Sequence, residues 1–137
     1  MTGGEPIFPG GTGVSGLSVY PWAAEDGVCG GSPHLHLACT EAYVVVGGRG
    51  AVQTLTAAGL TETPLSAGTV VWFSPGTIHR AVNHDGALRI VVLMQNSGLP
   101  EAGDAVFAGV VDEASARARR DLAVRGFSNC RTTESTR

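Results

Sequence analysis

The chain has 137 residues, of which 43% are apolar and 15% charged, and its formal net charge is −3. That length suits one domain able to bury its own core without staples, and the composition argues against a disordered chain. The weak negative charge offers no field to draw nucleic acid or anionic lipid, so neither a nucleic-acid nor a membrane partner is expected.

Residues 1–16 are rich in Gly, Pro and Thr and read as a flexible N-terminal arm, with Ile7 and Phe8 able to dock on a neighbour. No basic region followed by an apolar stretch opens the chain, so no signal peptide is expected. The longest apolar runs, such as residues 90–94, are too short to span a bilayer. Cys29, Cys39 and Cys130 are too scattered for a disulfide framework and read as free thiols of a cytoplasmic protein.

Residues 17–111 carry a β pattern. Short runs rich in Val, Tyr, Trp and Leu predict strands at 17–22, 34–38, 43–46, 51–56, 69–73, 80–83 and 88–95. Turn signals at 25–27, 47–48, 58–59, 75–76 and 85–86 separate them. Strands this close, with no helical segment between them, predict an antiparallel sandwich or barrel, because parallel neighbours would need crossover helices. The period then changes. Residues 112–126 predict a short C-terminal helix, with Asp112 as N-cap and Gly126 just past the last turn. Ala114, Ala118 and Leu122 share one face and are expected on the barrel, while Arg117, Arg119 and Arg120 are expected in solvent. The polar tail, 127–137, reads as disordered.

Three of the four histidines fall in tight patterns. His34 and His36 are two apart in a β segment, so alternation puts both imidazoles on one face, where they could grip one metal ion. Taken alone, such a pair is more often a pair of surface or satisfied core histidines. Glu41 shares that face only if the chain bulges or turns near Cys39 and Thr40. His79 follows the turn Ser74-Pro75-Gly76, which could swing a strand back across the barrel, and Asn83 shares its parity.

The segment PHLHLACTEAYVVVGG, residues 33–48, resembles the first cupin motif, and GTVVWFSPGTIHRAVN, residues 68–83, resembles the second. His34, His36, Glu41 and Gly48 fit the first spacing. Its leading glycine does not, since Gly27 stands one residue too early and Gly30 and Gly31 too late. Gly68, Gly76, His79 and Asn83 fit the second, whose proline slot holds Ser74 with Pro75 one place later.

The resemblance implies an all-β, single-domain cupin barrel (a double-stranded β-helix or jelly roll) carrying the C-terminal helix. It implies that His34, His36, Glu41 and His79 hold one divalent transition metal, with Fe, Mn, Ni, Zn, Co and Cu all compatible with the donor types. Three imidazoles and one carboxylate would leave coordination positions open for a small-molecule substrate. The expected function is a metal-dependent enzyme on a small oxygenated metabolite, dioxygenase in type ahead of isomerase, decarboxylase or cyclase. The alternative is a non-catalytic sugar- or metabolite-binding module with a structural metal. Glu41 would set the metal's charge and Tyr43 would orient the substrate. Trp22, Gln53, Trp72, Phe73 and Asn83 are the further pocket candidates. Exposed strand edges and the N-terminal arm suggest a homodimer.

Overall fold

A computed structural model describes residues 7–8, 11–95 and 113–134. Eight strands and one helix follow in chain order: β1 (Ile7–Phe8), β2 (Thr12–Ser18), β3 (Thr40–Gly47), β4 (Arg49–Thr56), β5 (Gly59–Ser66), β6 (Val70–Phe73), β7 (Ile78–Asn83), β8 (Arg89–Gln95) and α1 (Glu113–Glu134). They form a five-stranded sheet, β1-β2-β8-β3-β6, and a three-stranded sheet, β5-β4-β7, with every strand pair antiparallel.

Side-chain alternation builds the space between the sheets. On β3, Glu41, Tyr43 and Val45 are buried while their neighbours are less so; on β8, Ile90, Val92 and Met94 take the same role. Val19, Val52, Leu65, Phe73, Ala81 and Leu88 pack with them in the core. β7 departs from alternation, with every residue from His79 to Asn83 buried. Its second face is covered by the segment from Tyr20 to Gly31, which bridges it at Gly30 and Val82 and sends the Gly31 amide to the Ala81 carbonyl at 2.9 Å. The backbones approach so closely there that a Cβ on Gly30 would collide with the Ala81 carbonyl oxygen. Arg80, only 1% exposed, points outward into this cover and pairs through both terminal nitrogens with Asp26.

Several expectations are corrected. Residues 12–18 are an internal strand rather than part of a loose arm, because β8 offers a full antiparallel ladder from Thr12 opposite Gln95 to Ser18 opposite Arg89. Ile7 and Phe8 pair with Gly13 and Thr12 of the same chain. Residues 34–38 are not a strand: His34 makes one isolated bridge, to His79, and the chain then bends at 37–38. β5 was not expected at all; it is an edge strand with one fully buried side chain, Leu65, so its sequence carries little alternation.

The helix runs through Gly126 to Glu134, beyond the expected end and into the expected tail. Its barrel-facing residues are Arg120, Val124 and Phe127, whereas Ala118 is exposed and Leu122 is 66% exposed. Arg120, expected in solvent, is 1% exposed. It donates to the carbonyls of Trp22 at 2.8 Å, Ala23 at 2.6 Å and Gly30 at 3.3 Å. Buried carbonyls in a non-strand segment need donors, and a guanidinium can supply several at once. The N-cap expected at Asp112 lies outside the described residues. Among the described residues, no helix is long and apolar enough to cross a membrane.

Candidate metal centre

Four donors arrive from three parts of the fold. His34 and His36 come from the irregular segment ahead of β3, Glu41 from the five-stranded sheet and His79 from the three-stranded sheet. Backbone hydrogen bonds fix their approach. The His34 amide donates to the His79 carbonyl at 3.1 Å, and the His79 amide returns to the His34 carbonyl at 2.8 Å. The Gly76 amide donates to the His36 carbonyl at 2.7 Å. Gly76 has φ +82° in the tight turn closed by the Thr77 amide and the Ser74 carbonyl, so the turn of the second motif grips the backbone of the first. The irregularity that Glu41 requires takes the form of the bend at 37–38, one or two residues earlier than expected, which turns the 73%-exposed Leu37 outward.

The donor atoms of His34, His36, Glu41 and His79 all lie within 4.8 Å of one another, and all but His34 are buried. Ligands on opposite sides of an ion bound at about 2.1 Å stand about 4.2 Å apart, so one ion can reach all four after small shifts. His34 Nδ1–H donates to the Ser32 carbonyl at 2.8 Å and His79 Nδ1–H to the Thr77 carbonyl at 3.1 Å. These bonds orient the rings and leave Nε2 of each as the atom able to bind a metal. His79 Nε2 lies 2.8 Å from Glu41 Oε2, and His36 Nε2 lies 3.1 Å from the same oxygen. With Nδ1 of His79 carrying the proton, an imidazole lone pair faces a carboxylate lone pair at contact distance. Such an arrangement repels unless a proton or cation joins the two. The donor set therefore fits a divalent transition metal.

Electrostatics agree. Burial pushes the Glu41 carboxyl up, but the imidazoles of His36, His79 and His34 around it outweigh this and hold the group at about 2. Burial, with His79 beside it, lowers His34 to about 4. Near neutral pH the site thus presents a carboxylate and a neutral His34 ring, the forms that bind metals.

Phe73 stacks on His79 with centroids 4.4 Å apart and rings 10° from parallel, and Tyr43 meets His79 edge-on at 5.9 Å. A cavity of about 420 Å³ borders the site. His34, Tyr43 and Ala81 form its barrel side, residues 17–20 a second wall, and Arg119 of α1 the third. Burial, and then the Glu41 charge, raise the Tyr43 phenol well above its ordinary value.

The other pocket candidates lie elsewhere. Trp22 stacks on Tyr20 at 4.3 Å beneath Arg117, on the helix side of the cover segment. Gln53 faces outward and donates to Glu62 Oε2 across β4 and β5 at 2.9 Å. Trp72 is 72% exposed, since Phe73 takes the inward position on β6. Asn83 is spent on the fold: it donates to the Val19 carbonyl at 2.8 Å and accepts from the Leu88 amide at 3.3 Å. Sequence reasoning missed the residues at 17–20 and Arg119 as cavity walls. No local signal distinguishes Arg119 from the other helix arginines; only docking decides which one turns inward.

Comparison with known proteins agrees with the geometry. A search of curated proteins finds no match. Among solved structures, an uncharacterized conserved protein with a double-stranded β-helix domain from Klebsiella pneumoniae is similar over 80% of this chain and 90% of that one, with TM-score 0.54 and 19% identity. An oxalate decarboxylase variant from Bacillus subtilis gives TM-score 0.57 at 13% identity, over 70% of this chain and 24% of that one. The capsular polysaccharide assembling protein CapF from Staphylococcus aureus gives 0.55 at 20%, over 75% and 28%. The chain spans about a quarter of the length of these last two proteins, and at such identities the likeness shows the fold. A family model described as Cupin matches residues 15–118, and the chain belongs to the cupin family.

Proposed function

We propose that this cupin is a metal-dependent enzyme acting on a small oxygenated metabolite, with His34, His36, Glu41 and His79 holding one divalent transition metal. One observation carries the reading: three imidazoles and a carboxylate converge within the barrel, their donor atoms all within 4.8 Å of one another. A Bacillus subtilis oxalate decarboxylase of similar fold, 14% identical, has Mn(II) centres, which supports a divalent ion without fixing which one this chain takes. When bound, such a metal supplies Lewis acidity and, for redox-active ions, electron transfer at the positions the protein leaves open.

The chain's own residues do the rest. The carbonyls of Ser32 and Thr77 hold the His34 and His79 rings in place. Phe73 and the core around it keep water from the far side of His79. Tyr43 stays protonated at all ordinary pH and so serves as a hydrogen-bond donor to substrate rather than as a base. Among the described residues lining the cavity, no carboxylate and no histidine beyond His34 is available as a separate general base. That favours chemistry driven by the metal itself, with a dioxygenase placed ahead of an isomerase, decarboxylase or cyclase.

Elemental analysis of protein purified without added metal tests the site. One transition metal per chain is expected, lost in His34→Ala and His79→Ala; a metal-free wild type, or variants that keep the metal, refutes it. Oxygen uptake by Fe(II)-loaded protein tests the chemistry. Melting shifts with small metabolites but no turnover of any would favour a non-catalytic binding module. We also propose a cytoplasmic homodimer: β6 ends the five-stranded sheet with Val70 and Trp72 exposed, an edge able to pair with a second copy. A monomeric mass in light scattering would refute the dimer.

A further inference from the structure

We propose that this chain carries a second ligand site, apart from the metal centre: the cleft between residues 18–22 and the turns at Gly48 and Gly86 takes a planar aromatic anion, its charge at the Arg89 guanidinium and its ring beside Tyr20 and Trp22. The proposal goes beyond the metal-enzyme reading and does not rest on it.

The cleft has a volume of about 420 Å³, at the small end of ligand pockets. Ser18, Val19, Tyr20, Pro21 and Trp22 form one wall. Gly48, between β3 and β4, and the stretch from Gly86 to Arg89, leading into β8, form the other. Ser18, Val19 and Tyr20 also line the cavity beside His34, so this short stretch is the partition between the two spaces. None of the four metal ligands is among the described lining residues of the cleft.

Three observations point to the ligand. First, Arg89 is the sole charged side chain among those lining residues, and among the described residues it has neither a hydrogen bond nor an ion pair. Its guanidinium lies against the β3–β4 turn, where a Cβ on Gly47 would stand 2.9 Å from a terminal nitrogen. An uncompensated guanidinium beside a mostly apolar lining attracts an anion, and it can hold a carboxylate by two parallel hydrogen bonds. Second, Tyr20 and Trp22 line the cleft as a stacked pair, 4.3 Å between centroids and 23° from parallel, with Arg117 over the Trp22 ring at 4.9 Å. A flat ring in the ligand gains from contact with such a pair beyond what burial alone supplies.

Third, both walls are fixed before a ligand arrives. The Val19 amide donates to the Leu88 carbonyl at 3.0 Å. The Asn83 side chain donates to the Val19 carbonyl at 2.8 Å and accepts from the Leu88 amide at 3.3 Å, tying one wall to the other. Gly48 has φ +74°, and a Cβ on it would collide with the Ala87 carbonyl, so the two turns interlock. Walls held in this way lose little freedom on binding.

Isothermal titration of the full metal-free chain with benzoate tests the proposal. Benzamide, which lacks the charge, and cyclohexanecarboxylate, which lacks the aromatic ring, are the controls. Benzoate is expected to bind about tenfold more tightly than benzamide, the range for a hydrogen bond to a charged group. It is expected to bind about threefold or more tightly than the saturated acid, the range for an aromatic contact. Backbone amide shifts in two-dimensional NMR locate the ligand. Those of Gly48, Gly86, Ala87 and Arg89 are expected to move, while those of Gly31, Ser32 and Ala81 in the metal-side cavity stay in place. Arg89→Gln should remove the preference for benzoate over benzamide. Arg49→Gln, an equal loss of charge at an exposed position outside the described lining, should keep it. Mn(II)-loaded protein should bind benzoate as the metal-free chain does. The proposal is overturned if benzoate binds no more tightly than both controls, if the shifts centre on the metal-side cavity, if binding requires the metal, or if the two arginine variants behave alike. The wild-type ratios and the shift map decide even if a variant fails to fold.

Discussion

Replacing Arg120 by Met keeps an unbranched apolar stem but removes the guanidinium and with it every donor. Three backbone carbonyls, those of Trp22, Ala23 and Gly30, then lose their partner. A hydrogen bond from a charged group is worth about 1.5–3 kcal/mol, and a buried acceptor left unsatisfied costs about 1–3 kcal/mol. The contact to Gly30 is long at 3.3 Å and contributes least. Against this, the charged group no longer has to be desolvated, and the thioether recovers some packing. The balance is a loss of about 3 kcal/mol, or about 10 °C in melting temperature for a domain of this size. Arg117→Met is the matched control: its guanidinium lies over the Trp22 ring at 4.9 Å on an exposed position, an interaction worth about 0.5–1 kcal/mol. Urea titrations followed by far-UV circular dichroism measure both. If Arg120→Met costs under about 1 kcal/mol, or no more than Arg117→Met, the three-carbonyl clamp does not hold the helix down.

Other outcomes follow from the site and the turns. Glu41→Gln preserves shape but removes the only negative charge among the four donors, so metal affinity should fall by more than the about 10–100-fold typical of losing an outer-sphere partner, as measured by competition with a chelator. Acid should destabilise the metal-free protein in two stages. His34 titrates lower in the folded chain, about 4 against 6.5, so the unfolded chain binds its proton first and stability declines as pH falls from 6.5 towards 4. Glu41, at about 2 against 4.5, adds a further loss below 4.5; in chemical denaturation, flat stability between pH 7 and 4 would contradict the first stage and flat stability between pH 4.5 and 2 the second. Gly76→Ala, with open space around the new methyl but φ +82°, should cost about 1–2 kcal/mol. Gly30→Ala should cost more, because the Ala81 carbonyl occupies the place of the new methyl; equal melting temperatures for the two would refute that ranking.

What the sequence revealed and what it hid divide along physical lines. That His34, His36, Glu41 and His79 come together was legible because they fall in two short segments that resemble the motifs of one family, and the structure brings their donor atoms within 4.8 Å of one another. The strands with alternating burial, such as β3 and β8, were legible from their runs of β-forming residues. β5 was not, since an edge strand in which only Leu65 is fully buried needs no pattern, and Pro64 is tolerated there for want of a neighbour on one side. The helix was found, but its docking face was misread. Its inward stripe contains Arg120, and a buried arginine is invisible to hydrophobic periodicity when its partners are carbonyls about a hundred residues away in sequence. Trp72 and Gln53 went astray because strand parity cannot tell which of two faces looks inward.

Glu41 and His79 stand on different sheets, which meet chiefly through side chains rather than a shared ladder. Coordination is therefore possible only once the two halves of the sandwich have closed on each other, and an ion seated there would rivet them together. By thermodynamic reciprocity, the affinity of this chain for its ion becomes a gauge of closure. A substitution that lets the halves part, however far from the imidazoles, weakens ion binding to the extent that it favours the open form, and a saturating ion restores what such a substitution loosens.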